Sequence, residues 1–237
     1  MWRPCGRTSK KKKDFHKVKV LITAGPTHEF IDPVRFISNY SSGLMGFALA
    51  EEFAGRGATV ELISGPVNLN ISNTSINLIM VKTADEMHKA CLEKFPNSQI
   101  TIMAAAVADY TIENKSEQKI KKGTNELVLK LKKTTDILSG LGKIKKPGQL
   151  LVGFALETND ELENAHKKLK NKNLDLVVLN SLRDIGAGFG HQTNKVTLLD
   201  NDGKTETFDL KLKTQVASDI AEKIKQLFSN KKAIKTR

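Results

Sequence analysis

The stretch from residue 18 to residue 57 constrains this chain most. Residues 18–23 read as a strand with a buried, largely apolar character. Residues 44–53 carry apolar side chains at helical spacing and close at Gly55 and Gly57. A loop of about twenty residues lies between, and an unstructured connection of that length inside a compact domain is uncommon unless functional. Ser41 and Ser42 predict a side-chain N-cap for the helix. Gly43 and Gly46 predict a first turn that a ligand can approach, where free amides and the helix dipole favour an anion. A plainer reading stands beside this one. Glycine-rich strand-to-helix turns occur without ligands, and neither G-x-G-x-x-G nor G-x-x-x-x-G-K-[ST] is present.

The rest of the chain repeats the alternation. Strands are expected at 58–64, 76–81, 99–105, 126–132, 150–155 and 174–179, with helices opening near Thr83, Thr134 and Asp160. Thr83 and Glu86 form a capping-box pattern, and Cys91 falls on that helix's apolar face. Residues 195–200 and 205–210 flank Asn201-Asp202-Gly203, a hairpin signal, and 213–228 read as a closing helix. The fold class that follows is α/β: a three-layer, Rossmann-like (ribokinase-like), mainly parallel sheet with a C-terminal β-hairpin.

Charge separates the body from its ends. The 237 residues carry a net +12, yet residues 1–19 hold +7 and residues 229–237 hold +4, which leaves the body at +1. Residues 1–17 and 229–237 therefore read as basic tails around a domain at 18–228, with the first tail also placed where a linker would stand. A folded nucleic-acid reader keeps its basic patch on the domain, so no nucleic-acid partner is expected. No run of eighteen apolar residues exists, and the basic N-terminus lacks the apolar core of a secretory signal. Cys5 and Cys91 share no context, which fits a reducing, cytoplasmic setting.

Chemistry-bearing residues gather near expected strand ends. Residues 104–108 are small and leave room for a ligand outside a parallel sheet. Asp109 is the charge beside them, with capping the next turn as its alternative role. Residues 111–125 are polar and hold four lysines, which suits either a lid or a solvated loop. Residues 134–138 open a helix beside Lys132 and Lys133, another anion-binding turn. Lys168 and Lys172 share a helical face. Neither G-x-S-x-G nor H-E-x-x-H occurs, and the five histidines show no metal-ligand spacing, so metal ligands stay unassigned. These parts suit a polyanion such as a nucleoside triphosphate.

Six motifs in order resemble one family. Thr23-Ala24-Gly25-Pro26-Thr27, Asp32-Pro33-Val34-Arg35 and Ser38-Asn39-x-Ser41-Ser42-Gly43-x-Met45-Gly46 make up the opening loop. Ala105–Tyr110 reads A-A-V-A-D-Y, and Lys119–Lys122 reads K-I-K-K. Thr135-Asp136-Ile137-Leu138, Val152-Gly153-Phe154-Ala155-x-Glu157-Thr158 and Lys172-Asn173-x-Asp175 follow. Over residues 18–228 the chain resembles phosphopantothenate–cysteine ligases of the CTP-dependent bacterial type, in most bacteria the C-terminal half of a bifunctional coenzyme A biosynthesis protein.

The resemblance implies a two-step ligation. The 4′-phosphopantothenate carboxylate attacks the α-phosphate of CTP, and cysteine's amino group then attacks the acyl-cytidylate. It implies Mg²⁺ carried on the nucleotide, no flavin in this chain, a homodimer, and a fused or missing flavin-dependent decarboxylase half. By the same resemblance, Asn39 holds the acyl-cytidylate and Lys119 is the lid lysine that completes the amide. Met103, Ala104, Ala105 and Asp109 border the nucleotide, Lys133, Thr134, Thr135 and Asp136 cradle it, and Phe154, Lys168 and Lys172 finish the site. Gly25, Ser41, Ser42, Gly43 and Gly46 form the substrate loop. Tyr40 and Leu44 depart from the family's His and Lys, which removes one phosphate contact. Two rivals remain: an NAD(P)- or flavin-binding oxidoreductase, whose fingerprint is missing, and a basic nucleic-acid-binding protein.

Overall fold

A computed structural model describes residues 13–122, 126–157, 159–181 and 186–235. Most of the expected N-terminal tail with Cys5, residues 123–125 of the expected lid, and Thr158 lie outside the described residues. Eight strands form the central sheet: β1 Lys19–Ala24, β2 Thr59–Ser64, β3 Ile76–Met80, β4 Ile100–Met103, β5 Leu150–Glu157, β6 Leu176–Ser181, β7 Val196–Asp200 and β8 Thr205–Thr207. Their order is β8-β7-β6-β5-β4-β1-β2-β3. From β3 through β6 every pairing is parallel, whereas β7 and β8 add as an antiparallel hairpin. The strand order reverses between β1 and β4, and in open sheets ligands bind outside the strand ends near such a switch.

Two-residue alternation along the strands divides the core. Val20, Ile22 and Ala24 of β1 join one cluster with α1 (Leu44–Gly55), whereas Leu21 joins another with α2 (Ala84–Lys94). The second cluster also takes Ile137 and Leu141 of α3 (Ile137–Ile144) and Ala165 of α4 (Glu161–Asn171). Val216, Ile220 and Ile224 of α5 (Lys213–Lys235) complete the first. The result is the expected three layers. Cys91 is fully buried on the inner face of α2, and burial pushes its thiol up to about 12. Thr83 caps α2 as anticipated, its Oγ1 accepting the Glu86 amide, whereas the Glu86 carboxylate takes the Lys82 amide rather than that of Thr83.

Four expectations change. Gly43, in the left-handed region at φ 78°, is the N-cap of α1, and no side chain caps it. Ser41 Oγ instead accepts from the Gly43 amide, which leaves the first amides of α1 uncapped. The long loop after β1 holds its own ribbon, Glu29–Phe30 against Phe36–Ile37. The strand expected at 126–132 shrinks to Leu131–Lys133, because its partner Tyr110–Ile112 offers only three residues of edge. That pairing also takes the first part of the expected lid into a ribbon. Finally, the chain is ordered beyond both expected domain limits. Phe15 is buried against Phe53, and α5 continues past Phe228, where Lys231 Nζ reaches Asp175 Oδ1 at 2.5 Å.

Gly46 shows how tightly α1 sits on the sheet. A Cβ there would lie 2.5 Å from the Ala24 Cβ and 3.0 Å from the Thr23 carbonyl oxygen. The missing side chain therefore admits β1. Gly140, inside α3, has nothing within 4 Å of its Cβ position. Gly46→Ala is expected to lower unfolding free energy by about 1–3 kcal/mol. Gly140→Ala is expected to raise it by about 0.5–1 kcal/mol through helix propensity alone. Urea denaturation reads both, and equal effects would contradict this packing.

Candidate functional site

The site is built where β1 and β4 run out. Thr23 Oγ1, buried at the end of β1, accepts the Ala105 amide at 3.2 Å. Thr27 Oγ1 accepts the Ala108 amide at 3.0 Å, and the Ala106 amide reaches the Gly25 carbonyl at 2.9 Å. These bonds hold residues 105–108 as a fixed wall. Thr134 closes its far end, donating Oγ1 to the Ala108 carbonyl at 2.6 Å and its amide to the Asp109 carbonyl at 2.9 Å.

Two adjoining cavities open on that wall. The larger, about 660 Å³, is lined by Asn39, Met103, Ala105 and Asp109, by Lys133–Asp136, and by Phe154, Lys168 and Lys172. The smaller, about 130 Å³, is lined by Ser41, Ser42, Gly43, Gly46 and Ala104. Ala105, Ala106, Phe154, Leu156 and Phe189 border both. Most residues singled out from the sequence therefore converge. Gly25 and Lys119 line neither cavity. Gly25, at φ 73°, lies behind Gly43, with its Cα 3.4 Å from the Gly43 Cβ position.

Asn39 donates Nδ2 to the Ala106 carbonyl at 3.0 Å, which leaves its carbonyl oxygen and second N–H for the cavity. Lys168 Nζ donates to the Phe154 carbonyl at 2.7 Å. Lys172 pairs with Asp136 at 2.7 Å, and Asp136 also caps α3 by accepting the Ser139 amide. Burial works against charge on Asp136, yet Lys172 and the Ser139 amide outweigh it and hold its pKa below the usual carboxylate value. Among the described residues no three His, Cys, Asp or Glu side chains group as a metal site. Asp109 and Asp136 are the carboxylates on the larger cavity.

Sequence reasoning missed residues from the later part of the chain. Asn180, Gly188, Phe189, Asn194 and Lys213 reach the smaller cavity from β6, the following loop and the start of α5. Asn180 Oδ1 is buried there without a hydrogen-bond partner. Its position at the end of an expected parallel strand was the available signal. Leu44 lines the same cavity.

The residues around Lys119 are pinned from a distance. Asp32 is 1% exposed and accepts from the Val34 and Arg35 amides, the Arg35 guanidinium and the Ile120 amide. Arg35 in turn donates to the Ile120 carbonyl, and the Ser116 amide reaches the Ile31 carbonyl. The loop carrying Asn39 thus fixes the segment carrying Lys119.

Residues 15–228 match the family model for the DNA/pantothenate metabolism flavoprotein C-terminal domain. The chain belongs to this family. The chain is 56% identical over 219 residues to a protein named cysteine/cysteine sulfinic acid decarboxylase from an unidentified prokaryote, covering 91% of this chain and 61% of that one. The bifunctional coenzyme A biosynthesis protein CoaBC of Bacillus subtilis (strain 168) is 47% identical over 208 residues, covering 88% of this chain and 51% of that one. The chain therefore spans between half and two thirds of these relatives. A crystal structure of the CoaBC C-terminal domain superposes with a TM-score of 0.80 at 37% identity, covering 92% of this chain and all of that one. The family's motif Lys172-Asn173-x-Asp175 divides in this fold. Lys172 faces the larger cavity, whereas Asp175 is buried at the other end of the sheet, holding the Leu151 amide, Lys145 and Lys231.

Arg35, together with the three amides and against burial, holds the Asp32 carboxyl well below the usual carboxylate range. Such a group stabilises the fold above its unfolded pKa of about 4, and that contribution is lost as pH falls toward the depressed value. Asp32→Asn is expected to speed hydrogen exchange at the Ile120 amide by about tenfold or more at neutral pH. It is also expected to remove part of the stability lost on acidification below about pH 4. Unchanged exchange at Ile120 would contradict the clasp.

Proposed function

We propose that the chain carries phosphopantothenate–cysteine ligase chemistry driven by CTP. The observation that carries the reading is the pair of cavities meeting at one wall. An acid activated on a nucleotide needs two pockets whose reacting ends touch. The larger offers room and positive side chains for a triphosphate, with the α3 N-terminus beside it. The smaller ends on the uncapped first turn of α1, which favours an anion such as the substrate's phosphate. Asn39 stands beside the shared wall, next in sequence to the serine loop.

In this reading a carboxylate oxygen of 4′-phosphopantothenate bonds to the α-phosphorus of CTP, and pyrophosphate leaves. The amino nitrogen of cysteine then bonds to the acyl carbon, CMP leaves, and the amine proton passes to solvent. Mg²⁺ on the triphosphate would offset charge at the phosphorus under attack. Asn39 donates to oxygens of the acyl-cytidylate. Lys119 must move to reach that intermediate, which suits a group that acts after cysteine has entered. The CoaBC relatives support the pathway. The decarboxylase named for the 56% identical relative belongs to a protein of which this chain spans only 61%.

Incubation with 4′-phosphopantothenate, cysteine, Mg²⁺ and each nucleotide in turn should release CMP with amide product. Release of AMP instead would overturn the choice of nucleotide. Asn39→Asp puts a negative charge beside an anionic intermediate and is expected to cut turnover by about 100- to 1000-fold. Lys119→Gln is expected to release pyrophosphate and accumulate acyl-cytidylate with little product. Mass spectrometry of a single turnover separates these outcomes, and wild-type product formation by Lys119→Gln would refute the division of roles.

A second copy of the chain fits the outer face of the site. Val34, Phe36, Tyr40, Tyr110 and Leu131 are exposed on and beside the two contacting ribbons, Tyr40 at 93%. Apolar side chains gathered this way mark an association surface. Light scattering at micromolar concentration is expected to give a dimer, and Tyr40→Asp with Phe36→Asp to give a monomer. A wild-type monomer would contradict it.

A further inference from the structure

Phe189 borders both cavities, yet it belongs to neither the strand ends nor the helix starts that build them. It sits in Gly186-Ala187-Gly188-Phe189-Gly190, where the three glycines have φ of +85°, +90° and +77°. That backbone is held firmly. Thr193 Oγ1 donates to the Gly186 carbonyl at 2.6 Å. Lys213 Nζ donates to the Gly188 carbonyl at 3.0 Å and to the His191 carbonyl at 2.7 Å. The Gly188 amide reaches Asn194 Oδ1 at 3.4 Å.

Burying an ammonium to satisfy two carbonyls is costly, and burial indeed pushes the Lys213 pKa down. The cost is borne beside an aromatic ring that remains 38% exposed, so core packing does not account for the arrangement. The loop presents a ring over the seam of two cavities.

Resting on the ligase reading, we propose that Phe189 shields the seam from water and that Lys213 positions it, so that the activated acyl group meets an amine before it meets solvent. Both competing steps break the same bond, between the acyl carbon and the phosphate oxygen of the nucleotide. With cysteine, nitrogen bonds to that carbon, the nucleoside monophosphate leaves, and a proton goes to solvent. With water, oxygen bonds instead, the starting acid is regenerated, and nucleotide is wasted. An apolar ring at the seam disfavours only the second.

The measurement is a ratio: amide product per nucleoside monophosphate released, in one reaction with CTP, 4′-phosphopantothenate, Mg²⁺ and cysteine. The ratio is independent of how much enzyme is active, so partial misfolding leaves it unchanged. Wild type is expected near one. The series Phe189→Leu, Phe189→Val, Phe189→Ala should lower it progressively, as hydrolysis relative to amide formation rises by about tenfold at Ala, the factor that follows from 1.4 kcal/mol of differential barrier. Without cysteine, the same series should raise phosphopantothenate-dependent release of CMP. Lys213→Met should uncouple the reaction in the same direction although the Phe189 side chain itself is unaltered. A wild-type ratio across the Phe189 series overturns the shield. Wild-type enzyme that releases no monophosphate in response to phosphopantothenate overturns the ligase reading and the shield together.

Discussion

Two threonine hydroxyls carry most of the architecture around the site. Thr23 and Thr27 each accept one amide from the 105–108 segment, and both are fully buried. A buried acceptor replaced by an apolar group would strand its donor at a cost of about 1–3 kcal/mol. More follows than stability. The segment they hold contributes Ala105 and Ala106 to both cavities, gives Asn39 its anchoring carbonyl, and offers Ala108 to Thr134. The position of the α3 N-terminus relative to the α1 N-terminus is thus relayed through hydrogen bonds from β1 and the loop that follows it.

Two lysines of the larger cavity are already engaged. Lys172 neutralises Asp136, and Lys168 holds the Phe154 carbonyl. A polyanion entering the cavity competes with a carboxylate in one case and a carbonyl dipole in the other. Electrostatic preorganisation lowers barriers because the dipoles are fixed before charge develops. Here the fixing contacts belong to the resting protein, so part of the ligand's binding energy is exchanged against them.

The sheet and its layers were legible because strand and helix periods are strong local signals. Residues 18–23 and 44–53 became β1 and α1 within a residue or two. The ribbons were not legible. Their strands are two or three residues long, too short to carry a period. The opening loop and the cradle at 133–136 announced themselves through helix-start chemistry. Phe189 and Lys213 did not, since only the antiparallel return of β7 and the placement of α5 bring them to the smaller cavity, whereas Asn180 ends a parallel strand and so carried a usable signal. Lys119 carried a family motif yet stands outside both cavities, because the Asp32–Arg35 pair draws its neighbour Ile120 aside.

The closing helix has a consequence for anyone trimming the gene. Lys213 reaches the smaller cavity, and Lys231, eighteen positions on and roughly 27 Å along the axis, sits on Asp175. By composition the segment after Phe228 looks like a disposable basic end. Cutting there would take Lys231 from a carboxylate that also holds the Leu151 amide. Leu151 belongs to β5, whose opposite end supplies Phe154 and Leu156 to the seam. A boundary chosen for expression would thus reach the cavity through one strand, and C-terminal fusions are better joined beyond Lys235 than before Lys231.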